Sequence, residues 1–462
     1  MAMQPIEPLP SSYRDNAGFV FKHNNKIYRL INENYFGHYD MLLQSGLYKE
    51  LTTAGRLIKH EEIPASSIEI ATTSNTKIIF PAQLPFISYP YEWSFDMWKD
   101  AAIVTLKIVQ VCLQKGMILK DATPFNIQFY NGRPVFIDTL SFEKYTEGKT
   151  WIAYRQFCEC FLSPLLLMYY GHRDMGKLFV AYPDGIPLEI TKSLLPLKSA
   201  LNIHVYMHVW LQSRVSVQTK NKKDEVKDFS KQKLELLIKG LLEFVISLTV
   251  KKNKSTWDDY YTDTILGNNY LEHKSKLVKE YIDQINFKTV IDLGANDGYF
   301  SMLLQEKASN IISVDFDSNC VNDLYKSIRK NNIKNIVPIV AMLNTPSPAV
   351  GWANEERTSL TERLKADLIM ALALVHHLAI SNNVTLANIS DWLQNMGEFL
   401  IVEFVPKADE KVQELLLHRK DIFTNYTLQH FKDCFALHFN ILQEETVGTT
   451  ERTLFLMQKK YV

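Results

Sequence analysis

Residues 290–300, VIDLGANDGYF, combine glycines, an acid and an asparagine in a pattern that suits an anionic ligand. Gly294 can turn the chain tightly and lets the backbone approach a ligand. Asn296 tolerates left-handed backbone geometry, and Gly298 lets the following helix pack close to the strand. The free N–H groups at the start of that helix can bind an anion. The predicted contact residues in this turn are Asp292, Gly294, Ala295, Asn296 and Gly298.

A second candidate carboxylate ends the next apolar run, in the sequence Val314-Asp315-Phe316-Asp317. Asp315 comes 23 residues after Asp292, and an acid at this place can accept hydrogen bonds from both hydroxyls of a ribose. Phe316 can flank an adenine ring. Met342, after the third apolar run, can pack on the same base, although packing in the protein core explains it equally well. The two strand ends together predict a nucleoside-binding site.

Candidate acid–base groups lie further along, in the run ALVHHL at 373–378. Histidine has a pKa that suits a base near neutrality, so we expect His376 or His377 to face the site while its neighbour holds a structural partner. Both could instead cap the strand or hold the loop. Glu403 ends another apolar run, where a carboxylate is costly unless it is paired. It could orient a histidine, bind substrate, or join the histidines around a metal, but no metal is predicted.

The elements that must position these residues alternate after residue 255 between short β-rich runs and helical segments. The first five runs are apolar almost throughout, which is typical of parallel strands buried on both faces. Their alternation with helices predicts βαβ units and a doubly wound sheet. The last two runs have no clear helix between them, which indicates a terminal antiparallel hairpin. The predicted strands span 289–294, 310–316, 335–342, 366–374, 398–404, 439–447 and 453–459.

The same residues resemble the motifs of class I S-adenosylmethionine (SAM) dependent methyltransferases. DLGANDGYFS resembles their motif I, VDFD their second motif and ADLIMALALVHHL their fourth, and the resemblance covers residues 255–462. It implies a Rossmann-like, seven-stranded α/β domain with SAM as cofactor, the methionine carboxylate at the helix N-terminus and the sulfonium near Ala373. Asn296 replaces the middle glycine of the usual D-x-G-x-G-x-G form, which leaves the exact loop shape open.

The N-terminal half contains a second set of polar residues, in LKDATPFN at 119–126. Asp121 and Asn126 have the D-x-x-x-x-N spacing of a kinase catalytic loop, and Asp138 follows twelve residues after Asn126. In kinases such residues serve as base and as metal ligands. Stabilising a turn is the alternative role for Asp121 and Asn126.

The elements around these residues follow the order of a kinase. We predict a hairpin at 18–30, an edge strand and loop at 78–93, a helix at 94–114 and a second hairpin around the turn NGR. The segment resembles a diverged kinase or aminoglycoside-phosphotransferase-like α+β fold. Gly18 is the single glycine in residues 10–30, and Leu119 stands in place of the expected histidine. These departures favour a pseudokinase-like module over an active phosphotransferase.

Length and composition set the limits for both halves. A chain of 462 residues can hold two or three domains. With 51 basic and 51 acidic residues, it has no general attraction to nucleic acid or an anionic membrane. Five cysteines favour no disulfide framework. The absence of a signal peptide and of long apolar runs favours the cytoplasm. The polar stretch 217–235 indicates a linker, so the predicted divisions are 1–213, 214–254 and 255–462.

The combination of the two halves resembles a bacterial family of two-part SAM-dependent methyltransferases related to a nodulation protein. The strings KDATPFNIQF, RPVFIDTLSFE, DLGANDGYFS, ALVHHLAI and VEFVPKAD carry this resemblance. It implies O-methyl transfer to a small-molecule or saccharide-containing acceptor, with no nucleic-acid partner and no membrane insertion; the oligomeric state stays open. The alternatives are a phosphotransferase and a non-catalytic SAM-binding scaffold. Trp257, Tyr260 and Tyr261 could form a lid over the cofactor or a packed aromatic cluster.

Overall fold

A computed structural model describes residues 8–68, 75–214, 229–250, 267–417 and 419–461. The chain forms two compact units. The N-terminal unit comprises Met1–Lys251 and Pro348–Ser359, and the C-terminal unit comprises Lys252–Ser347 and Leu360–Val462. The aromatic residues 257, 260 and 261 and most of the polar stretch 217–235 lie outside the described residues. Within the described part of the chain, no helix has the length and apolar character needed to cross a bilayer.

A four-stranded antiparallel sheet begins the N-terminal unit, and its first two strands are the predicted hairpin. The turn between them places Asn24 and Asn25 at positive φ. The strand order is β1-β2-β4-β3, so the strand at 76–81 pairs on both sides. The prediction of an edge strand there was wrong, because the edge is formed by the charged run HEEI, which has no apolar pattern. The strands are β1 (Gly18–His23), β2 (Lys26–Asn32), β3 (His60–Ile63) and β4 (Thr76–Pro81).

The rest of the N-terminal unit is mainly helical. The predicted helix at 94–114 is present as Phe95–Gln114, and it buries its apolar side chains, among them Trp98. The second predicted hairpin is also present, with Asn131 and Gly132 at positive φ in its turn. Its further strands are β5 (Met117–Leu119), β6 (Ile127–Tyr130), β7 (Arg133–Phe136) and β8 (Phe142–Lys144); its helices are α1 (Phe36–Gln44), α2 (Leu47–Thr53), α3 (Phe95–Gln114), α4 (Tyr154–Phe157), α5 (Ser163–Tyr170), α6 (Leu188–Leu194), α7 (Ile203–Val205) and α8 (Lys231–Ser247).

The stretch Pro348–Ser359 belongs to the N-terminal unit, although the chain on either side of it belongs to the other. Arg357 lies over the ring of Phe125, with its guanidinium carbon 4.4 Å from the ring centroid. Arg14 forms a salt bridge of 2.9 Å with Glu356. The backbone N–H of Thr358 donates to the hydroxyl of Tyr89 at 3.2 Å. These contacts hold the stretch on the N-terminal unit.

A seven-stranded sheet forms the centre of the C-terminal unit, as predicted. Its order is β11-β10-β9-β12-β13-β15-β14; the first five strands are parallel, and the last two form the predicted antiparallel hairpin. The strands are β9 (Thr289–Leu293), β10 (Asn310–Asp315), β11 (Ile336–Val340), β12 (Leu368–Ala371), β13 (Phe399–Phe404), β14 (Phe439–Thr446) and β15 (Thr453–Lys459).

Helices cover this sheet and complete its core. The apolar strands bury nearly every side chain, as strands covered on both faces do. Asp367 joins the starts of β9 and β12, because its carboxylate accepts from the backbone N–H groups of Lys288 and Thr289 at 2.8 and 2.9 Å. The helices are α9 (Gly267–Ile282), α10 (Tyr299–Leu303), α11 (Ser318–Asn331), α12 (Leu360–Arg363), α13 (Leu386–Gln394), α14 (Glu410–Leu416) and α15 (Leu428–Phe435).

Cysteine chemistry plays no part in holding this fold together. The cysteines at positions 112, 158, 160, 320 and 434 are all free and buried. Burial raises the pKa of the Cys112 thiol. A thiol in such surroundings stays protonated and unreactive.

Candidate functional site

The turn after β9 adopts the left-handed geometry that its residues predict. Gly294, Asn296 and Gly298 all have positive φ, at 74°, 51° and 83°. A Cβ atom on Gly298 would lie 2.5 Å from Cδ1 of Leu324 in α11, so only glycine lets this helix approach. The turn therefore packs directly against α11 and leads into α10 at the carboxyl edge of the strands.

Asp315, the last residue of β10, lies against this turn. Its two carboxylate oxygens accept backbone N–H groups of Asn296 and Asp317, each at 2.8 Å. The side chain is fixed by these bonds and is only 8% exposed. Burial raises its pKa to about 6 despite the hydrogen bonds. A carboxylate has about four lone-pair sites, so Asp315 retains the capacity to accept from a ligand.

Asp292 lies deeper than Asp315. Its carboxylate accepts the Ser301 hydroxyl at 2.7 Å, and that hydroxyl is also 2.7 Å from the hydroxyl of Ser313. Burial, together with the charge of Asp315, raises the pKa of Asp292 to about 6. Asp292 thus ties α10 to the first two strands of the unit and supports the turn from beneath.

Two apolar side chains stand exposed beside Asp315. Phe316 directly follows it, and Met342 follows β11, whose Val340 pairs with Asp315. Each side chain is nearly half exposed, unlike the buried apolar residues of the strands. An exposed aromatic ring and a thioether next to a fixed carboxylate fit the base and sugar of a nucleoside. The residues predicted for SAM therefore suit that cofactor. Ala373, after β12, also has positive φ, at 50°.

The two predicted histidines lie in contact at the end of β12. Their ring centroids are 4.1 Å apart. His376 is fully buried, and neither of its ring nitrogens has a hydrogen-bond partner. Burial, together with the charges of His377, Arg452 and Lys274, lowers the pKa of His376 well below its usual value. Burial and the charge of Arg452 lower the pKa of His377 to about 4. Both rings are therefore neutral near pH 7.

Glu403 has partners that the sequence did not indicate. Its carboxylate accepts from the Lys274 ammonium at 2.6 Å and from the Tyr270 hydroxyl at 2.5 Å, and both donors lie on α9. Neither ion of the pair is more than 3% exposed. Burial alone would raise the pKa of Glu403, but the charges of Lys274 and Arg452 outweigh it, so the pKa is lowered. Of the three roles predicted for Glu403, orienting a histidine does not occur among the contacts of the described residues.

Arg452, just before β15, extends this buried group. It donates to the Tyr270 hydroxyl at 2.8 Å, and it binds both oxygens of Asp409 at 2.8 and 2.9 Å. Sequence reasoning missed Tyr270, Lys274, Asp409 and Arg452. Tyr270 and Lys274 are four residues apart, which places them on one face of α9, but nothing in the sequence names their partners. In the described parts of the chain, no group of three His, Cys, Asp or Glu side chains is placed to hold a metal ion.

The polar residues of the N-terminal unit also lie together. The Asn126 amide donates to Asp121 at 3.2 Å and to Asp138 at 3.5 Å. Arg29 binds Asp138 at 2.7 Å and also contacts Asp15. The Arg29 guanidinium thus pairs with the Asp138 carboxylate.

Comparison with known proteins identifies relatives for the whole chain, although no family model matches it. Nodulation protein NoeA of Rhizobium meliloti is 31% identical over 460 residues, which cover 98% of this chain and 96% of the relative. An rRNA adenine N-6-methyltransferase of Bacillus licheniformis is 32% identical over 81 residues, 17% of this chain and 28% of the relative.

Solved structures are less similar. The crystal structure of N-methyltransferase NodS from Bradyrhizobium japonicum with S-adenosyl-L-homocysteine is 9% identical, covers 44% of this chain and 93% of its own, and has a TM-score of 0.33. WbdD has 16% identity, 40% and 39% coverage, and a TM-score of 0.29. Similarities with such low TM-scores support no conclusion about this chain. The fold of the C-terminal unit is therefore assigned from its own strand order. The nearly full-length identity to the nodulation protein shows that this chain belongs to the NoeA family.

Proposed function

We propose that the C-terminal unit is a SAM-dependent methyltransferase that transfers the methyl group to a hydroxyl of a small-molecule or saccharide-containing acceptor. The observation that carries the proposal is the fixed carboxylate of Asp315. It lies at the carboxyl edge of a doubly wound sheet, where ligands of this fold class bind, and backbone N–H groups of Asn296 and Asp317 hold it in place.

The residues around Asp315 supply the other contacts that SAM needs. Asp315 accepts the ribose hydroxyls, and Phe316 and Met342 flank the adenine. The methionine carboxylate lies at the turn Gly294–Gly298 and the start of α10, the place that the resemblance to motif I implies. When bound, SAM supplies an electrophilic methyl group on a positively charged sulfur. Asp292 keeps the turn in shape from beneath, and Ala373 closes the cofactor site at the end of β12.

His376 and His377 act on the acceptor. Each ring is neutral near pH 7 because burial and nearby cations lower its pKa, so each has an acceptor nitrogen for a hydroxyl. The same lowered pKa makes each ring a weak base, which takes the hydroxyl proton only as the methyl group transfers. His376 has two unpartnered ring nitrogens, and a buried polar group of this kind is costly unless a ligand pairs with it. Glu403 holds Lys274 and Tyr270 in place.

A calorimetric titration with SAM tests the cofactor site. Asp315→Ala removes two charge-assisted hydrogen bonds, together about 3 kcal/mol, so affinity falls roughly a hundredfold. Asp367→Ala is the matched control, because Asp367 lies at the opposite edge of the same sheet. We expect this variant to bind SAM with the affinity of the wild type. Melting curves check that both variants are folded. Unchanged affinity in Asp315→Ala rejects the proposal.

The same protein with labelled SAM tests the acceptor class. A bacterial lysate is treated with wild type or with a His376→Ala/His377→Ala variant and then separated into saccharide, RNA and small-molecule fractions. Label that enters the saccharide or small-molecule fraction, and that needs the histidines, supports the proposal. Label in RNA contradicts the proposal. This outcome is included because the relative that matches over 81 residues is an rRNA methyltransferase. Label in no fraction favours the non-catalytic SAM-binding scaffold.

The N-terminal unit is a pseudokinase-like module in this proposal. Its Asp138 is bound by Arg29 and its Asp121 by the amides of Asn126 and Gln156, at 2.7, 3.2 and 2.6 Å. No observation favours phosphotransfer over methyl transfer as the activity of the chain.

A further inference from the structure

The N-terminal unit exposes a run of large apolar side chains between residues 194 and 211. Leu197 and Leu201 are 82% and 90% exposed, so these side chains stand clear of the surface with almost no neighbours. Single exposed leucines are common in soluble proteins, but a contiguous exposed group marks an interaction site. We call this group the apolar face; it consists of Leu194, Leu197, Leu201, Ile203, Tyr206 and Leu211.

The elements that carry the apolar face are neighbours in the structure. Its residues lie on α6, on the 3₁₀-helix Leu197–Leu201, on α7 and on the π-helical turn Tyr206–Leu211, and these elements pack against one another. Val205 and Val209 are buried beneath it. The Trp210 indole donates to the buried Ser199 hydroxyl at 3.3 Å, which joins the 3₁₀-helix to the π-helical turn. The exposed side chains are thus held out by an ordered base.

The apolar face carries an excess of basic residues. Residues 188–214, from the start of α6, contain Lys192, Lys198 and Arg214 and one acid, Glu189. Lys198 and Arg214 are exposed, and the Lys192 ammonium lies 5.2 Å from the centroid of the Trp210 ring. Cations and aromatic rings beside protruding aliphatic side chains are the composition of segments that lie in the interface of an anionic membrane. The chain as a whole has no net charge, so this attraction is local.

We propose that the apolar face docks this protein onto the surface of an anionic lipid bilayer. A protein partner would need a hollow for each protruding leucine, whereas lipid chains adapt to any apolar side chain. Leu197 and Leu201 enter the boundary between headgroups and acyl chains, and Lys192, Lys198 and Arg214 contact anionic headgroups. The docking is peripheral.

Vesicle sedimentation with the full-length protein tests the proposal. The wild type sediments with vesicles of phosphatidylcholine and phosphatidylglycerol, sediments much less with phosphatidylcholine alone, and is released as salt concentration rises. Leu197→Ser/Leu201→Ser lowers the partition coefficient at least about tenfold. Both side chains are so exposed that the melting temperature stays unchanged.

The matched control is Ile422→Ser/Leu437→Ser, which removes two exposed apolar side chains from the C-terminal unit and leaves vesicle binding at the wild-type level. Absence of wild-type binding to the anionic vesicles overturns the proposal, and so does equal binding of the two double variants. Sedimentation velocity tests the alternative that a second copy of the chain covers the apolar face. If the wild type is a dimer that Leu197→Ser/Leu201→Ser converts to monomers, and if it binds no vesicles, the apolar face is a dimer interface and the proposal is overturned. SAM titration is unaffected by any of these outcomes.

Discussion

Lys274 and Glu403 form a salt bridge inside the C-terminal unit, where water reaches neither charge. Taking two ions out of water is costly, and their attraction compensates only when the remaining polar atoms are also bonded. Here Tyr270 donates to Glu403, and Arg452 donates to Tyr270 while it binds Asp409. The group is therefore stable as a set, and each member depends on the others.

A double-mutant cycle on Lys274 and Glu403 measures this dependence. Lys274→Met or Glu403→Gln alone leaves an unpaired buried charge, so we expect each to lower the free energy of unfolding by about 3–5 kcal/mol. The double variant loses at least about 2 kcal/mol less than the sum. The matched pair on the exposed side of the same helix, Lys276 and Glu280, gives a coupling below about 0.5 kcal/mol. Additive losses at Lys274 and Glu403 would contradict the inference.

The turn between β9 and α10 determines how the elements around it pack. It brings a helix N-terminus to the carboxyl edge of the sheet, and its close packing against α11 depends on the absence of a side chain at Gly298. Asn296 supplies the other left-handed position, where the usual motif has a glycine. Asparagine adopts this geometry at small cost, so the replacement preserves the turn.

Gly298→Ala tests the close packing of this turn against α11. The new Cβ meets Leu324, and alanine at a φ of 83° is strained, so the free energy of unfolding should fall by about 1–3 kcal/mol. Gly37→Ala is the control, because nothing lies within 4 Å of that Cβ in α1, and helix propensity predicts a gain of up to about 1 kcal/mol. Chemical denaturation measures both. A Gly298→Ala variant as stable as the wild type would disprove the packing argument.

Buried histidines in both units give the whole molecule its response to acid. Burial lowers the pKa of His60 and His208 to about 4 in the N-terminal unit, and His376 and His377 are lowered in the other. Between about pH 6.5 and 4 these histidines are protonated in the unfolded chain but stay neutral in the folded chain, so stability falls as pH falls. Three buried carboxyls with raised pKa values, Asp121, Asp292 and Asp315, oppose this trend, but the four histidines outnumber them.

We expect the melting temperature to fall as pH is lowered from about 7 to about 5. His208→Gln should reduce this fall, because it removes a group whose protonation favours the unfolded chain. His172→Gln is the matched control: His172 is 77% exposed in the same unit, and its substitution should leave the pH dependence unchanged. Thermal unfolding at several pH values measures the slopes. An identical slope for His208→Gln and the wild type would exclude this role for His208.

The sequence by itself determined the strands of the C-terminal unit and the neighbourhood of Asp315 and Gly294. Strand formation follows from local apolar runs, and right-handed βαβ connections place the ends of successive parallel strands at one edge. Residues that follow those strands must therefore lie close together, and this does not depend on contacts with distant parts of the sequence. The hairpin turns were equally local, because Asn131 and Gly132 suit positive φ by their own chemistry.

Only the tertiary structure decided which side chains meet across the sheet. Arg452 and Tyr270 are 182 residues apart, and they come together because α9 covers strands that the C-terminal hairpin closes. No spacing or composition encodes that contact. The same holds for β3, whose charged sequence HEEI forms a strand because β4 offers it an open edge. Local chemistry thus set the elements, and long-range packing chose the partners of Glu403, Lys274 and Arg452.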